Sequence, residues 1–481
     1  MTLGGIQILI IGAGLARTKV LALLLGPEGI GITGVIDQIV AFAAHAGSLS
    51  IPFAALRFLS RSRDISTERF LSLYKSFRRT LLVASCVAAS AGIAFILFRR
   101  GTDELAPFRM AAILAMLSAP AMAILALERN VLAVIEKPRV ASATTLVAVI
   151  ALVASTYAGL KLGGFAGLYA GNLFVNIAVV VVVARYVRIS LPENVPGPQA
   201  AASLSIMRSE PGLIRFCTLV HFLALGSPAA YAVSRLIVLD SGGSAAAGMM
   251  AAAFGIGVAV RTVLGQASAL YLTPLANQST PKAERVAAVA RYARALVVLF
   301  LVATLPLALF PSFWIRILYS LRFVPAAATL SGFLIGEGLL LMAGVYQALL
   351  IGLDDLNAYL ASSLVASGVV IGLSFALIPS HGIIGAAWAL IGGNGILLVL
   401  TLMRLRVAHS VTRLGVQAAP LAVAIAILVA AGWWVRADMH ASVSARLFVC
   451  LILSSAFVSL LGKDELRWII SPARERLATR E

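Results

Sequence analysis

Apolar runs of about 20 residues recur along nearly the whole chain, and they constrain its fold more than any other feature. An α-helix needs roughly 20 apolar residues to cross the hydrocarbon core of a bilayer. A typical soluble domain is about a quarter charged residues, whereas only 12% of these 481 residues are charged and 60% are hydrophobic. This composition excludes a soluble globular protein. The sequence therefore predicts an all-α polytopic membrane protein.

About fourteen runs have the length and composition of membrane-spanning helices. Most connections between them are short, and the longest, residues 191–212, contains four prolines. This longest connection is therefore interpreted as a linker between two halves. The predicted spans are residues 4–25, 31–56, 80–98, 107–127, 140–160, 164–185, 213–238, 246–273, 293–311, 325–351, 357–378, 382–403, 416–435 and 443–462.

The distribution of basic residues predicts the orientation of these spans. With a cytoplasmic N-terminus, 26 of the 38 lysines and arginines fall in inside segments and nine in outside segments. Inside segments of membrane proteins carry this excess of positive charge. The bias predicts that both termini are cytoplasmic. It also accounts for the net charge of +18 as a topology signal, so no nucleic-acid partner is expected.

The chain repeats part of its own sequence. The segment Gly163–Arg188 resembles His381–Arg406 at one fixed offset. We predict two six-helix lobes, residues 1–190 and 213–407, related by a pseudo-two-fold axis along the membrane normal. Residues 191–212 would form the cytoplasmic linker, and residues 408–481 two appended helices and a cytoplasmic tail. The pairs at this offset are Gly164 with Gly382, Gly167 with Gly385, Asn176 with Asn394, Arg188 with Arg406, and Arg17 with Arg235.

Motifs of enzymatic chemistry are absent from the sequence. There is no nucleotide-binding glycine loop, zinc-protease helix motif or hydrolase nucleophile motif. The three cysteines, Cys86, Cys217 and Cys450, lie inside apolar runs and form no metal-ligand spacing. We therefore expect a protein that is not an enzyme and that needs no cofactor or metal.

Ionisable side chains at membrane depth are the strongest functional candidates, because each costs roughly 2.5–3.5 kcal/mol on insertion scales. Arg261 lies near the middle of the eighth span and shares a helical face with Gly257, Gly265 and Ser268. Small neighbours would let a ligand headgroup approach the guanidinium, so Arg261 is predicted to bind substrate. The alternative is a structural ion pair with Glu337.

Two further arginines are substrate-binding candidates. Arg17 shares a face of the first span with Gly14 and is predicted to face a cavity. Arg57 lies at the inner end of the second span, where it is either a topology charge or a contact at the cavity entrance. Inside the spans, the three cations Arg17, Lys19 and Arg261 against two acids favour an anionic ligand. Guanidinium groups bind phosphate bidentately.

Two acids are candidate ion-coupling residues. Glu337 lies between Gly336 and Gly338 in the middle of the tenth span, where proton coupling and structural pairing both remain open. Asp37 lies in the second span on a narrow polar stripe with His45. This stripe is either an interhelical hydrogen-bond seam or part of a coupling site.

Two short motifs then resemble a known family. The run Lys19–Ile32 (KVLALLLGPEGIGI) is similar to the end of helix one and the start of helix two in Wzx-type oligosaccharide flippases, and the run Gly382–Ala389 (GIIGAAWA) to the start of their helix twelve. These flippases belong to the multidrug/oligosaccharidyl-lipid/polysaccharide exporter superfamily. The resemblance covers the whole chain in span number, orientation and loop pattern.

The resemblance implies a function and a location. It implies a two-lobed flippase of the bacterial inner membrane that moves undecaprenyl-diphosphate-linked oligosaccharides between leaflets by alternating access, for surface polysaccharides such as O-antigen lipopolysaccharide. By position, Arg17, Arg57 and Arg261 match the arginines that line the cavity of these proteins. The implied partners are the lipid-linked glycan, membrane lipids, H⁺ or Na⁺ as a coupling ion, and a polysaccharide polymerase.

Several alternatives stay open at this stage. A lipid II flippase also has fourteen spans and cavity arginines, and a cation-coupled drug antiporter has an acid-rich cavity. A membrane glycosyltransferase or polymerase, or a scaffold of the synthesis complex, would need no transport site.

Overall fold

Helices form nearly all of the chain that the computed structural model describes, which comprises residues 3–98, 103–191, 210–272, 281–409, 424–431 and 443–459. No strand occurs within these ranges. A π-helical turn covers Ala55–Leu59, 3-10 helices cover Asp103–Phe108 and Leu321–Ala326, and residues 424–431 are also helical. The labelled α-helices are α1 (Leu3–Ser48), α2 (Ile51–Ala54), α3 (Ser60–Ile65), α4 (Thr67–Phe98), α5 (Arg109–Met116), α6 (Ala119–Val134), α7 (Pro138–Ser190), α8 (Leu213–Leu272), α9 (Lys282–Leu309), α10 (Pro311–Leu318), α11 (Ala327–Gly352), α12 (Leu356–His409) and α13 (Val443–Ser459).

Eight helical stretches among the described residues are long and apolar enough to cross a membrane. The prediction of an all-α polytopic membrane protein is thereby confirmed. The first twelve predicted spans fall on helices. The last two, 416–435 and 443–462, lie partly outside the described residues, so the count of fourteen stays a prediction.

Four of the longest helices are each two helices that join at a glycine. Gly26 (φ 69°), Gly164 (φ 55°), Gly243 (φ 77°) and Gly382 (φ 57°) have left-handed backbone conformations inside α1, α7, α8 and α12. Only glycine adopts this region without steric cost. Each glycine therefore ends one span and allows the next to start without an intervening loop.

Several helices extend well beyond the predicted spans. The third span was predicted to start at residue 80, but α4 starts at Thr67. The ninth was predicted to start at residue 293, but α9 starts at Lys282. Hydropathy marks where the chain enters the hydrocarbon, whereas backbone hydrogen bonding continues the helix through charged residues beyond it.

The local backbone repeats at an offset of 218 residues, as the sequence does. The 3-10 helix Asp103–Phe108 corresponds to Leu321–Ala326, and the end of α6 corresponds to the end of α11. After these helices, Glu136 (φ 63°) and Asp354 (φ 60°) adopt matching left-handed conformations. The following amides donate matching hydrogen bonds, from Lys137 N to Leu132 O (2.8 Å) and from Asp355 N to Leu350 O (2.9 Å), a bond that commonly closes a helix.

Two compact units divide the chain, the first comprising Met1–Gly248 with Leu318–Ser320 and the second Met249–Ile317 with Leu321–Glu481. In the first unit, α7 packs against α1, α5 and α6, and α4 packs against α1 and α6. In the second unit, α11 packs against α9 and α12, and α13 packs against α9. The predicted lobes at 1–190 and 213–407 stay a prediction.

A buried apolar cluster joins several helices of the first unit near the predicted cytoplasmic ends of α4 and α7. It includes residues of the π-helical turn, α4, α6, α7 and the start of α8. Its largest fully buried side chains hold the base of α4 in place beside the end of α7. These side chains include Leu59, Leu73, Phe77, Leu127 and Leu132.

Candidate functional site

The first candidate cluster lies in the first unit and is centred on Asp37. The hydroxyl of Tyr169 donates a hydrogen bond to Asp37 Oδ1 over 3.0 Å and lies 3.3 Å from the Thr33 carbonyl oxygen. Tyr169 is buried, whereas Asp37 is exposed. A buried hydroxyl therefore fixes an accessible carboxylate at membrane depth.

Arg17 lies at the same level as Asp37. The two residues are nine positions before and eleven positions after Gly26, about 14 and 17 Å along their helices from this turn. Arg17 Nε donates a hydrogen bond to Thr156 Oγ1 over 3.1 Å, and its side chain is half-buried. Arg17 and Asp37 both hydrogen-bond to side chains of α7, Thr156 and Tyr169, so the structure places these two predicted residues against the same helix.

Arg235 also belongs to this cluster, and its role was not predicted. Its Nη1 donates a hydrogen bond over 2.5 Å to the carbonyl oxygen of Gly34, three residues before Asp37 on α1. The charge count had assigned Arg235 to an outside segment. Its equivalence to Arg17 at the repeat offset was the sequence signal that pointed to membrane depth.

The second candidate cluster is the ion pair of Arg261 and Glu337 in the second unit. Arg261 Nε donates to Glu337 Oε2; the Arg261 side chain is 31% exposed and that of Glu337 is completely buried. The structural pairing that the sequence left open is therefore present in the structure. The Arg261 side chain nevertheless remains partly exposed.

The small residues on the helical face of Arg261 leave space for the Glu337 side chain. A Cβ atom at Gly257 would lie 3.1 Å from Glu337 Cγ, so this glycine makes room for the carboxylate-bearing side chain. A Cβ atom at Gly265 would lie 4.0 Å from Leu341 Cδ1. The side chain of Ser268 lies outside the described residues.

The segment around Glu337 packs tightly on its neighbours. The Asn394 side-chain amide donates a hydrogen bond to the Gly336 carbonyl oxygen over 2.9 Å. A Cβ atom at Gly338 would lie 2.5 Å from the ring of Phe300. Gly336 and Gly338 therefore allow α12 and α9, respectively, to pack closely against α11. This packing holds the Glu337 carboxylate in a rigid position.

Arg57 lies apart from Asp37 along the chain. It is exposed in the π-helical turn, and its guanidinium lies 5.3 Å from the ring centre of Phe216 and 5.8 Å from that of Phe58. Twenty residues and a helix break at Leu49 separate it from Asp37. Its role as a substrate contact stays a prediction.

The described residues contain no group of three or more His, Cys, Asp or Glu side chains with metal-ligand geometry. The contacts of both clusters are hydrogen bonds and an ion pair.

Comparisons with known proteins identify the fold. No protein-family model matches the sequence, and no curated protein matches it. Among solved structures, the lipid II flippase MurJ in an inward closed conformation matches with a TM-score of 0.70 and 13% identity, covering 97% of this chain and 99% of that chain. An inward-facing MATE multidrug resistance transporter of the MOP superfamily matches with a TM-score of 0.63 and 12% identity, covering 86% and 97%.

A third structure is a MOP superfamily transporter from Pyrococcus furiosus, described as having a binding pocket of reverse polarity. It matches with a TM-score of 0.57 and 14% identity over 84% of this chain and 93% of its own. At these identities the likeness establishes the fold alone. The chain therefore has the fold of MOP-superfamily transporters.

Proposed function

We propose that this protein is a flippase that moves an undecaprenyl-diphosphate-linked oligosaccharide from the inner to the outer leaflet by alternating access. The observation that carries this proposal is the presence of arginines at membrane depth in a transporter fold, namely Arg17, Arg235 and Arg261. Permanently charged groups are expensive at this depth and mark substrate pathways. Guanidinium groups suit a diphosphate because they bind its oxygens bidentately.

The extent of the structural matches also supports a flippase. The match to MurJ, a lipid II flippase, extends over 97% of this chain, whereas the match to the MATE transporter extends over 86%. The Wzx-type motifs favour an oligosaccharide headgroup. In this proposal the protein resides in the bacterial inner membrane with both termini cytoplasmic and delivers its product to a polysaccharide polymerase.

The two acids supply a coupling step in this proposal. Glu337 holds Arg261 when the carboxylate is charged. Protonation of Glu337, or occupation of its carboxylate by Na⁺, would release the guanidinium for a phosphate oxygen. Asp37 is the second acid of the proposal, since it lies three residues after Gly34, whose carbonyl oxygen accepts a hydrogen bond from Arg235. Each arginine is thus a candidate phosphate partner whose availability depends on a nearby acid.

Reconstitution tests the transport function directly. The purified protein is placed in liposomes with a fluorescent undecaprenyl-diphosphate glycan, and a quencher added outside reports the fraction of label in the outer leaflet. We expect exchange between leaflets by the native protein and at least about a hundredfold slower exchange by Arg261→Ala, because a lost charged contact costs about 3 kcal/mol. Arg261→Lys should retain part of the rate.

A control separates transport from folding. The double variant Arg261→Gln with Glu337→Gln removes the charge pair without leaving a buried charge. It should fold and insert normally but flip no glycan. Normal flipping by this variant would remove Arg261 from the mechanism.

A lipid II flippase is the second candidate, favoured by the match to MurJ. The same assay with fluorescent lipid II in place of the glycan distinguishes the two substrates. A cation-coupled drug antiporter would instead lose activity when Glu337 is neutralised but not when Arg261 is. A glycosyltransferase would form product in detergent, where no second compartment exists.

A further inference from the structure

An open cleft of about 1040 Å³ lies beside the start of α4 and the end of α7. It lies on the side of the membrane that the charge bias assigns to the cytoplasm. It is separate in sequence from Asp37 and the ion pair of Glu337. The cleft is lined by Leu71, Tyr74, Lys75, Arg78, Val181, Ala184, Arg185, Arg188, Ile189 and Leu191.

Four cations line this cleft. Lys75 and Arg78 are three residues apart on α4, and Arg185 and Arg188 are three residues apart on α7, so each pair shares a helical face. Within the described residues, Lys75, Arg185 and Arg188 make no ion pair, and all three are exposed. The described lining contains no carboxylate. This arrangement calls for an anion from outside the protein.

One buried acid contacts two of the residues that line the cleft. The Tyr74 hydroxyl lies 2.7 and 2.9 Å from the two carboxylate oxygens of Glu128, which is completely buried. Arg78 Nε approaches the same carboxylate at 3.5 Å. Glu128 therefore engages Tyr74 and Arg78, and among the described residues it forms no ion pair with the other three cations.

The remaining lining is apolar and open. The side chain of Val181 is 59% exposed and that of Ile189 is 71% exposed. Cations beside exposed aliphatic side chains at the end of a membrane-spanning helix match the two parts of a phospholipid, an anionic headgroup and its acyl chains. A soluble anion would use only the first part.

We propose that this cleft binds the phosphate headgroup of an anionic phospholipid from the cytoplasmic leaflet, with the acyl chains lying along Val181 and Ile189. The site holds a membrane lipid that is not the transported substrate. It clamps α4 against the end of α7 and so stabilises the first unit.

The test measures lipid binding by the purified full-length protein in uncharged detergent. Phosphatidylglycerol should raise the apparent Tm in a saturable manner, and phosphatidylcholine should not. The triple variant Lys75→Ala, Arg185→Ala, Arg188→Ala should weaken the apparent affinity for phosphatidylglycerol by roughly a hundredfold, because each surface cation contributes about fivefold. Retention of the native affinity by this variant would overturn the proposal.

A control of equal charge change uses three exposed cations outside the cleft. Arg61→Ala, Arg139→Ala, Arg406→Ala should retain the native affinity within about twofold, since these residues do not line the cleft. Equal losses in the two triple variants would show nonspecific attraction to surface charge and would refute the site.

Two further experiments test whether an effect on binding comes from misfolding and whether the ligand is a lipid or a soluble phosphate. Ala184→Trp fills the cleft without changing charge and should also abolish the effect of phosphatidylglycerol while leaving the Tm in phosphatidylcholine unchanged. Inorganic pyrophosphate without lipid should give no increase in Tm. An increase equal to that with lipid would replace the phospholipid by a soluble phosphate and overturn the assignment.

Discussion

Residues 103–190 and 321–408 share their 3-10 helix and their glycine and helix-end conformations but differ in charge. At the same pair of repeat positions, the Lys137 ammonium lies 5.3 Å from the ring centre of Tyr186 in the first segment, whereas Arg404 donates to Asp355 over 2.7 Å in the second. His409 Nε2 also lies 3.0 Å from the Asp355 carboxylate. An acid thus neutralises the helix end in the second segment, and a further cation occupies its place in the first.

This difference shows that the two segments keep the same turn conformations while the charges beside the turns differ. In each segment the hairpin is the pair of helices joined at Gly164 or Gly382. Gly164 and Gly382 have nearly the same φ, and so do Glu136 and Asp354, because turn geometry depends on backbone conformation. The charges near the turns depend on what each end contacts. The basic residues near the end of α7, with no carboxylate in the described lining of the cleft, are the basis of our proposal that the first segment binds an external anion.

The buried acids differ in the same manner. Glu128 lies near the end of α6 and keeps a hydrogen bond from Tyr74 besides its ion pair with Arg78, whose side chain is 50% exposed. Glu337 lies mid-helix between two tightly packed glycines and is held by Arg261. The second acid therefore depends more strongly on its cation.

The largest expected effect tests this dependence. Arg261→Ala removes the cation that pairs with the completely buried Glu337 carboxylate and should lower the free energy of unfolding by about 3–5 kcal/mol. Arg78→Ala should cost less than about 2 kcal/mol, because Tyr74 still donates to Glu128. Thermal unfolding in nanodiscs measures both. Equal losses would contradict the difference between the two acids.

A smaller, matched pair of effects tests the shared scaffold. A Cβ atom at Gly167 would lie 2.2 Å from the Gly159 carbonyl oxygen, and one at Gly385 would lie 2.3 Å from the Leu377 carbonyl oxygen. Gly167→Ala and Gly385→Ala should each cost about 1–3 kcal/mol of stability, because the helices of the hairpin must separate.

Gly395→Ala provides the control, since a Cβ atom there would meet nothing within 4 Å. A loss of stability in only one of the variants Gly167→Ala and Gly385→Ala would show that the two segments share backbone dihedral angles but not helix packing.

The smallest effect is a pH dependence confined to the second segment. Burial raises the pKa of Asp355, but hydrogen bonds from Arg404 and His409 lower the pKa by a larger amount. The pKa of Asp355 therefore lies below the ordinary value of 3.8. A lowered pKa stabilises the folded state above pH 3.8, and this contribution disappears as the pH falls through the folded-state value.

Asp355→Asn should therefore be less stable than the native protein at neutral pH and equal to it at pH values below the lowered pKa. Apparent Tm measured from pH 7 downward checks this convergence. Lys137→Gln, at the equivalent position of the first segment, should show no such convergence over this range. Parallel Tm curves for Asp355→Asn and the native protein would refute a pairing role for Asp355.

The sequence predicted much of the fold and part of the candidate sites. The apolar runs predicted the first twelve helices, and the repeat predicted the equivalence of Gly164 and Gly382. The pairing of Arg261 with Glu337 was one of two alternatives, because two charges in different spans can meet or face separate surroundings. The involvement of Arg235 was missed, because a charge near a span end resembles a topology signal.

The sequence by itself determined the membrane-spanning helical fold, since each helix satisfies its own backbone hydrogen bonds and needs only apolar length to enter a bilayer. It also determined the glycine turns, since positive φ is a local property. Tertiary structure alone decided which charges are paired. Asp37 is hydrogen-bonded to Tyr169 and Glu337 is paired with Arg261, because helix packing brings together side chains that lie far apart in the chain. The same packing leaves Lys75 exposed to solvent.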